Sequence, residues 1–349
     1  MPLTSAAEAM QRARTTMSTK QAPAAPSATR SVPPALNTIV CGDAAQELRA
    51  IPDEIIDCIV TSPPYFRQRD YEVQGQLGTE KTPAEYVQRL MAILAECRRV
   101  LKPAGTMWLN IGDKYDGGRL LGIPWRIAIA MQDAGWILRS DIIWHKTNAM
   151  PHPTRSRPTT DHEYMFLFSK NGSYYYDADA IREPHVTFSD KSKMKGGRNH
   201  FGKTGGTPEQ GKNGGNTNLH DGRWDQAFHP LGRNKRTVWS IPLGKFRGAH
   251  FAVFPEQLVE PCIRAGSPPR GIVLDPFSGA GTVAAVANRL GRDFLGIELN
   301  AHYVRLAQKR LRDAQPGLLA AAPGPKKKSK APSAAGRQYM VSRARSDQD

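Results

Sequence analysis

A short, stiff segment near residue 60 carries the side chains best suited to chemistry. Thr61-Ser62-Pro63-Pro64-Tyr65 directly follows the apolar run at residues 55–60. Two consecutive prolines fix the backbone and supply no N–H donor, so the segment neither continues a sheet nor starts a helix. Its carbonyl oxygens therefore stay available as acceptors beside an aromatic ring. Such a cluster can hold a planar group by its exocyclic amine, as enzymes do with an extruded nucleobase.

A second segment, at residues 272–282, predicts a strand, a glycine-bearing turn and a helix start. Gly279 and Gly281 allow a sharp bend and a close approach to a ligand, and the helix that follows offers free N–H groups. Glu298 lies at the end of the next predicted strand, where its carboxylate can accept hydrogen bonds from both ribose hydroxyls of an adenosine. The alternative is that Glu298 interacts with the dipole of the helix that follows. Glycine spacing alone leaves nicotinamide and flavin sites open, because Ala284 also satisfies the dinucleotide pattern.

Alternating strand and helix patterns must position these two segments. Strands are predicted at residues 37–40, 55–60, 106–111, 136–144, 163–168, 237–239, 271–275 and 293–297, and helices at 83–101, 124–134, 255–264, 282–290 and 301–312. Asn300 is the predicted N-cap of the last helix. The alternation predicts an α/β fold, with a mostly parallel sheet covered by helices on both faces.

Composition divides the chain into five regions. Residues 1–35 and 314–349 are predicted as disordered tails, the second one basic, because they are rich in Ala, Pro and Ser without an apolar period. Residues 36–182 and 238–313 form two halves of one domain. Between them, residues 183–237 lose the periodicity and become rich in Gly, Asn, Lys and Arg, which favours a basic insertion that contacts nucleic acid over an inert linker.

The net charge of +16 indicates a polyanionic partner, and Lys326, Lys327, Lys328 and Lys330 concentrate part of it in the second tail. That tail is either a non-specific nucleic-acid contact or a solubilising segment. No apolar stretch is long enough to predict a membrane span or a secretory signal. The four separated cysteines suit a reducing cytoplasm, and neither a metal site nor a disulfide framework is predicted.

The two chemical segments resemble motifs of the DNA amino-methyltransferases. Ser62-Pro63-Pro64-Tyr65 resembles their catalytic motif, and Asp275-Pro276-Phe277-Ser278-Gly279-Ala280-Gly281-Thr282 resembles their S-adenosylmethionine motif. With the catalytic motif first, the order is similar to that of the permuted beta group, in which target recognition falls between the two halves. The resemblance spans about residues 37–312 and implies a Rossmann-like, S-adenosylmethionine-dependent methyltransferase fold.

The resemblance also implies residue roles. The cofactor would contact Asp43, Phe254, Pro255, Asp275, Pro276, Phe277, Ser278, Gly279, Gly281, Thr282 and Glu298, with Leu258 packing nearby. Ser62 and the carbonyl of Pro63 would accept the two N–H bonds of the target amine and aim its lone pair at the methyl group. Tyr65 would stack on the flipped base, and Pro64 completes the motif.

Ser62 also bears on the target base. Ser-Pro-Pro-Tyr is typical of cytosine N4 enzymes and Asp-Pro-Pro-Tyr of adenine N6 enzymes, so N4-methylcytosine is the first choice and N6-methyladenine the alternative. RNA or protein-amide methylation and an inactive DNA-binding protein are further alternatives. Cys262 is interpreted as a buried thiol and not as the nucleophile of a cytosine C5 enzyme.

The implied partner is double-stranded DNA, and the implied location is the cytoplasm, at the nucleoid. Contacts to DNA are assigned to Lys146, Arg198, Lys203, Arg233, Lys235 and Arg236. Four aromatic residues at strand ends line either a base pocket or the core: Tyr71, Trp108, Tyr115 and Trp144. A homodimer and a cognate restriction endonuclease stay open as further partners.

Overall fold

Strands and helices alternate in residues 35–151, 153–184, 231–244 and 254–314, which this computed structural model describes. The strands are β1 (Thr38–Cys41), β2 (Ile56–Thr61), β3 (Leu101–Ile111), β4 (Tyr115–Asp116), β5 (Arg119–Leu120), β6 (Ile137–His145), β7 (His162–Ser169), β8 (Val238–Ser240), β9 (Ile272–Asp275) and β10 (Asp293–Glu298). The α-helices are α1 (Ala44–Ala50), α2 (Pro83–Val100), α3 (Ile123–Asp133), α4 (Glu256–Gly266), α5 (Thr282–Arg289) and α6 (Ala301–Ala314).

Eight strands form one sheet in the order β1-β10-β9-β2-β3-β7-β6-β8. Neighbouring strands from β1 to β3 are parallel. β7 is antiparallel to both β3 and β6, and β8 is parallel to β6. The predicted mostly parallel sheet is therefore confirmed, with one reversed strand that the alternation pattern did not reveal.

Helices cover both faces of this sheet, and β2 shows how the sequence specifies this. Ile59 faces a core that includes Leu48 and Leu90, from α1 and α2. Cys58 and Val60 face the opposite core, formed with residues of α4, α5 and α6. A strand buried on both faces needs apolar residues at consecutive positions, which explains the run Cys58-Ile59-Val60 before the proline segment.

The start of α2 lies where the sequence predicts it. The Thr82 hydroxyl accepts a hydrogen bond from the backbone N–H of Glu85 at 3.2 Å, and Pro83 is the first helical residue. The Glu85 carboxylate in turn accepts from the N–H of Lys81 at 3.0 Å. This double cap orients an 18-residue helix that buries Tyr86, Leu90, Ile93, Leu94, Cys97 and Val100.

The predicted start of β3 is wrong by five residues. Lys102-Pro103-Ala104-Gly105 resembles a helix stop, so the strand was expected from residue 106, yet it begins at Leu101. Leu101 pairs with Ile56, and the register then shifts before Thr106 pairs with Cys58. The turn-like residues therefore form an irregularity inside the strand, where a proline without an N–H is tolerated.

A small hairpin, β4–β5, follows β3 and was not predicted. Its turn residues Gly117 and Gly118 have φ values of +54° and +79°. Positive φ at both central positions is the geometry of a two-residue hairpin turn, which glycine adopts without strain. The Gly-Gly pair was therefore a sequence signal for a hairpin turn, although strands of two residues are too short to show an alternation of apolar and polar residues.

The predicted tails at residues 1–35 and 314–349 lie almost wholly outside the described residues, as does most of the predicted insertion at 183–237. At the two ends of the insertion, Glu183 and Arg233 form an antiparallel β-bridge. The chain therefore leaves and rejoins the described domain at adjacent points, as an insertion would. Among the described helices, none has the length and apolar character needed to cross a membrane.

Candidate active site

A cavity of about 310 Å³ opens at the carboxyl edge of the parallel strands. From β2 the chain proceeds to β3 on one side, whereas from β9 it proceeds to β10 on the other, so the crevice lies at a topological switch point of the sheet. The cavity brings together both segments singled out in the sequence. Of the predicted site residues it is lined by Asp43, Ser62, Pro63, Pro64, Tyr65, Lys146, Phe254, Pro276, Phe277, Ser278, Gly279 and Glu298.

Four predicted cofactor residues support the wall of the cavity without lining it. Asp275 is buried below the turn, and Pro255 precedes α4. Gly281 has φ +73°, and a Cβ there would lie 2.8 Å from the Cβ of Ala307, so close packing of α6 requires glycine. The Thr282 hydroxyl accepts from Arg310 at 2.9 Å.

The glycine turn and Glu298 hold each other in place. Gly279 has φ +51°, a Cβ there would meet nothing within 4 Å, and its N–H donates to Glu298 Oε2 at 2.8 Å. Glu298 Oε1 accepts from the N–H of Asn300 at 2.8 Å. Burial raises the pKa of Glu298, and these backbone hydrogen bonds oppose that rise. Asn300 also caps α6 as predicted, since its Oδ1 accepts from the N–H of His302 at 2.9 Å.

Asp275 connects the two segments beneath the cavity. Its Oδ1 accepts from the Thr61 hydroxyl at 2.7 Å and from the N–H of Phe277 at 3.1 Å. Its Oδ2 is buried and has no hydrogen-bond partner among the described residues. Burial raises the pKa of Asp275 to about 7, with the bonds from Thr61 and Phe277 acting in the opposite direction. The Thr61 bond ties the start of the proline segment to the end of β9.

The Tyr65 hydroxyl lies at the centre of a polar cluster on the other side of the cavity. It donates to Glu163 Oε2 at 2.6 Å and lies 3.0 Å from Asn110 Oδ1. Ser62 Oγ is 3.3 Å from the Tyr65 hydroxyl and 3.2 Å from Asn110 Oδ1. Lys146 Nζ pairs with the other Glu163 oxygen, Oε1, at 2.5 Å.

Donor counting assigns the protons of this cluster. Tyr65 has one hydroxyl proton, and the short bond to the carboxylate of Glu163 is the stronger of its two choices. Burial, followed by the charge of Glu163, raises the pKa of Tyr65 well above 10, so the hydroxyl stays protonated and donates. Ser62 then donates to Asn110 or to the Tyr65 oxygen. The lone pairs of Ser62 Oγ are left to accept from a ligand.

Two further contacts make the cluster rigid. The amide NH₂ of Asn110 donates to the carbonyl of Tyr164 at 3.1 Å, which aims its Oδ1 at Ser62 and Tyr65. The Tyr86 hydroxyl donates to the carbonyl of Pro64 at 2.8 Å. This bond does not involve the Pro63 carbonyl, which is the one assigned to the target amine.

Sequence reasoning missed Asn110 and Glu163 and gave Lys146 another role. Asn110 is at the carboxyl end of β3 and Glu163 at the amino end of β7. These positions share one edge only because β7 is antiparallel to β3, and the sequence pattern did not indicate that direction. The sequence assigned Lys146 to DNA contacts; in the structure its side chain is four-fifths buried, pairs with Glu163 and lies 5.2 Å from the Trp144 ring.

The four aromatic candidates separate into two groups. Tyr71 and Trp144 line the cavity. Trp108 is fully buried in the core, and Tyr115 is in the hairpin with the Arg157 guanidinium over its ring. Cys262 and Leu258 are fully buried, as expected for Cys262; burial raises the pKa of this thiol well above its ordinary value.

The other residues assigned to DNA lie away from the cavity or outside the described part. Arg233 and Lys235 both pair with the Glu183 carboxylate, at 3.3 and 3.1 Å. Arg236 is exposed. Arg198 and Lys203 lie outside the described residues. No cluster of His, Cys, Asp and Glu suited to a metal ion occurs in the described ranges.

The N6_N4_Mtase family model, described as DNA methylase, matches residues 56–309. The chain therefore belongs to this family, and it is an S-adenosylmethionine-dependent, site-specific DNA methyltransferase of the cytosine-N4 or adenine-N6 kind. Type II methyltransferase M.Cfr9I of Citrobacter freundii is 39% identical over 313 residues, which cover 81% of this chain and 90% of that protein. M.SmaI of Serratia marcescens is 39% identical over 302 residues, covering 78% and 90%.

Solved structures share the fold. The PvuII DNA methyltransferase, described as cytosine-N4-specific, has a TM-score of 0.57 at 21% identity and covers 81% of this chain and 87% of its own. The putative DNA modification methylase TTHA0409 of Thermus thermophilus, complexed with S-adenosyl-L-methionine, has a TM-score of 0.52 at 26% identity, covering 80% and 95%. The predicted methyltransferase fold is thus confirmed.

Proposed function

We propose that the cavity binds S-adenosylmethionine beside a flipped base and that the enzyme methylates the N4 amino group of cytosine in double-stranded DNA. The observation that carries this proposal is the joining of the two segments in one cavity. The glycine turn forms one wall, Ser62 and Tyr65 form another, and the Thr61–Asp275 hydrogen bond connects them at 2.7 Å. Donor and acceptor sites are thereby held next to each other.

The residues on the cofactor side fit S-adenosylmethionine. Glu298 presents a carboxylate at the cavity wall for the ribose hydroxyls, and Gly279 leaves open space where a Cβ would stand. Ser278 Oγ is buried without a hydrogen-bond partner among the described residues, a polar atom available to a ligand. Asp43 would contact the adenine and Phe254 the methionine part. When bound, the cofactor supplies a sulfonium methyl group that is already a strong electrophile.

The protein's remaining task is to orient the amine. An aromatic amino group is a poor nucleophile because its lone pair is delocalised into the ring. Hydrogen bonds from the amine to Ser62 Oγ and to the Pro63 carbonyl would favour a tetrahedral nitrogen with its lone pair directed at the methyl carbon. The Tyr65 ring would stack on the base, which must leave the duplex to reach this cavity.

The choice of cytosine rests on Ser62, because Ser-Pro-Pro-Tyr is typical of cytosine N4 enzymes. Adenine N6 is the second candidate, since the same acceptors fit either amine. The same proposal includes the DNA contacts, those of Arg198 and Lys203 among them, and the two halves of the methyltransferase domain at residues 36–182 and 238–313. It includes neither a homodimer nor a cognate restriction endonuclease, which stay open.

The test is to incubate the pure protein with S-adenosylmethionine and unmethylated DNA, digest the DNA to nucleosides and identify the product by mass spectrometry. We expect N4-methylcytosine. N6-methyladenine alone would overturn the choice of base, and no modified nucleoside with any of a set of diverse genomic DNAs would overturn the proposed activity. A parallel incubation without cofactor controls for methylation already present in the DNA.

A further inference from the structure

Methyl transfer to an amine leaves one proton too many on the nitrogen, and the cluster around Tyr65 offers it a path. We infer, on the basis of the proposed function, that this proton passes through the hydroxyls of Ser62 and Tyr65 to the carboxylate of Glu163. The contacts allow the required direction. With its proton turned to Tyr65 Oη, 3.3 Å away, Ser62 donates to Tyr65, and Tyr65 Oη donates to Glu163 Oε2 over 2.6 Å.

The step balances in atoms and charge. The nitrogen–methyl bond forms while the carbon–sulfur bond breaks, and the electron pair of the carbon–sulfur bond stays on sulfur. The amino nitrogen gives one proton to Ser62 Oγ, the Ser62 proton moves to Tyr65 Oη, and the Tyr65 proton moves to Glu163 Oε2. Both hydroxyls end neutral, and Glu163 becomes a neutral carboxylic acid. The methylated nitrogen is a strong acid before this transfer, since losing the proton restores delocalisation into the ring, so a carboxylate is a sufficient base.

The other groups near Ser62 cannot take this role. Asn110 Oδ1, 3.2 Å from Ser62 Oγ, is the alternative acceptor of the Ser62 proton, but an amide oxygen does not hold an added proton near neutral pH. Asp43 follows β1 and Glu298 ends β10, and these strands lie three and two strands away from β2 in the sheet. Within the described residues, Glu163 is thus the carboxylate that hydrogen bonds connect to Ser62.

The surroundings of Glu163 suit repeated use. Lys146 binds Oε1 at 2.5 Å and so holds Oε2 towards Tyr65. The Glu163 side chain is 12% exposed, which leaves a route for the proton to solvent after each turnover. The same ends of β6 and β7 carry the titratable residues His145, Asp161 and His162, and both histidines lie 3.6 Å from Asp161.

Tyr65→Phe and Glu163→Gln test the path in single-turnover methylation by the full-length enzyme. The phenylalanine ring still stacks on a base, and glutamine keeps the size of Glu163 while losing its basicity. We expect each variant to slow methyl transfer by about 100-fold, the usual scale of a lost proton-transfer group, with unchanged cofactor affinity. The double variant should be no slower than either single one, because both break the same path. Tyr176→Phe and Glu54→Gln are matched controls on exposed groups outside the cavity.

The pH profile separates proton transfer from a merely structural role. If the proton leaves through Tyr65 and Glu163, the acid limb of the rate profile that belongs to this path should vanish in Glu163→Gln and in Tyr65→Phe. A change of rate caused by protonation of the target nucleobase would persist in both variants. Wild-type single-turnover rates in both variants would overturn the proton path but not the proposed methylation. The same conclusion would follow if both variants retained the acid limb. Failure of the wild type to methylate DNA would instead defeat the proposed function.

Discussion

Asp275 is buried at the base of the candidate site, and the carboxylate oxygen Oδ2 has no hydrogen-bond partner among the described residues. Its folded-state pKa of about 7 is higher than the ordinary value of 3.8. Between these values the folded chain keeps a proton that the unfolded chain has released. The contribution of Asp275 to stability is therefore greatest below pH 4 and declines as the pH rises towards 7.

Asp275→Asn should remove this pH dependence. Asparagine keeps an acceptor for Thr61 and does not titrate, so the variant should lose less stability than the wild type between pH 4 and pH 8. The difference should be on the order of 3 kcal/mol. Urea unfolding at a series of pH values measures it. Parallel stability curves for the two proteins would contradict the assignment of a neutral Asp275.

Ser62 is the residue on which the proposed chemistry depends most directly. Ser62→Ala should leave cofactor affinity unchanged, because Glu298 and the glycine turn lie on the opposite wall. Turnover should fall by roughly 100-fold, the scale of a lost preorganised polar contact. Calorimetric cofactor binding and initial methylation rates measure the two effects. Ser173→Ala, at an exposed position, is the control, and full turnover by Ser62→Ala would refute the role of Ser62.

At the scale of elements, the end of β3 must approach the Tyr65 ring closely. A Cβ added at Gly112 would lie 2.8 Å from Tyr65 Cε2 and 3.3 Å from Glu163 Cγ. Such distances force a ring or a strand end to move. Gly112 therefore supports the site by having no side chain.

Gly112→Ala should lower kcat by roughly 10- to 100-fold, because displacing Tyr65 by a fraction of an ångström misaligns the base. The melting temperature should change little, since the site lies at the sheet edge. Gly172→Ala is a matched control, because a Cβ at Gly172 meets nothing within 4 Å. If both variants keep the wild-type kcat, the Tyr65 position is not critical.

Much of the fold was predictable from local patterns, and the limits have physical causes. The strand at residues 55–60 and the helix start at residue 83 follow from local signals, and both predictions were confirmed. The direction of β7 depends on long-range pairing with β3, which no local period records. Glu163 and Asn110 reach Tyr65 only through that pairing. The sequence thus predicted the two segments of the candidate site, whereas the network behind Tyr65 required the structure.

At the scale of the whole molecule, the charge of +16 predicts strong electrostatic binding to DNA. A chain that ends at residue 314 loses the lysines at 326, 327, 328 and 330 together with the rest of the basic tail. Its affinity for non-specific DNA should fall, and the slope of log affinity against log salt should become shallower by about 0.9 for each phosphate that the tail no longer neutralises. Fluorescence anisotropy at several salt concentrations measures the slope. An unchanged slope would favour the solubilising role of the tail.

The pairing of β1 with β10 affects how the protein is made. Asn37 donates its N–H to the carbonyl of Phe294 at 2.8 Å, so the first strand of the domain needs a partner that is synthesised about 250 residues later. Until β9 and β10 have left the ribosome, β2 also lacks the neighbour that covers one of its edges. In a growing chain, the cofactor side of the cavity, which includes Glu298, is therefore completed after the side that carries Ser62 and Tyr65. Retention of a nascent chain on immobilised cofactor would report that synthesis has passed residue 298.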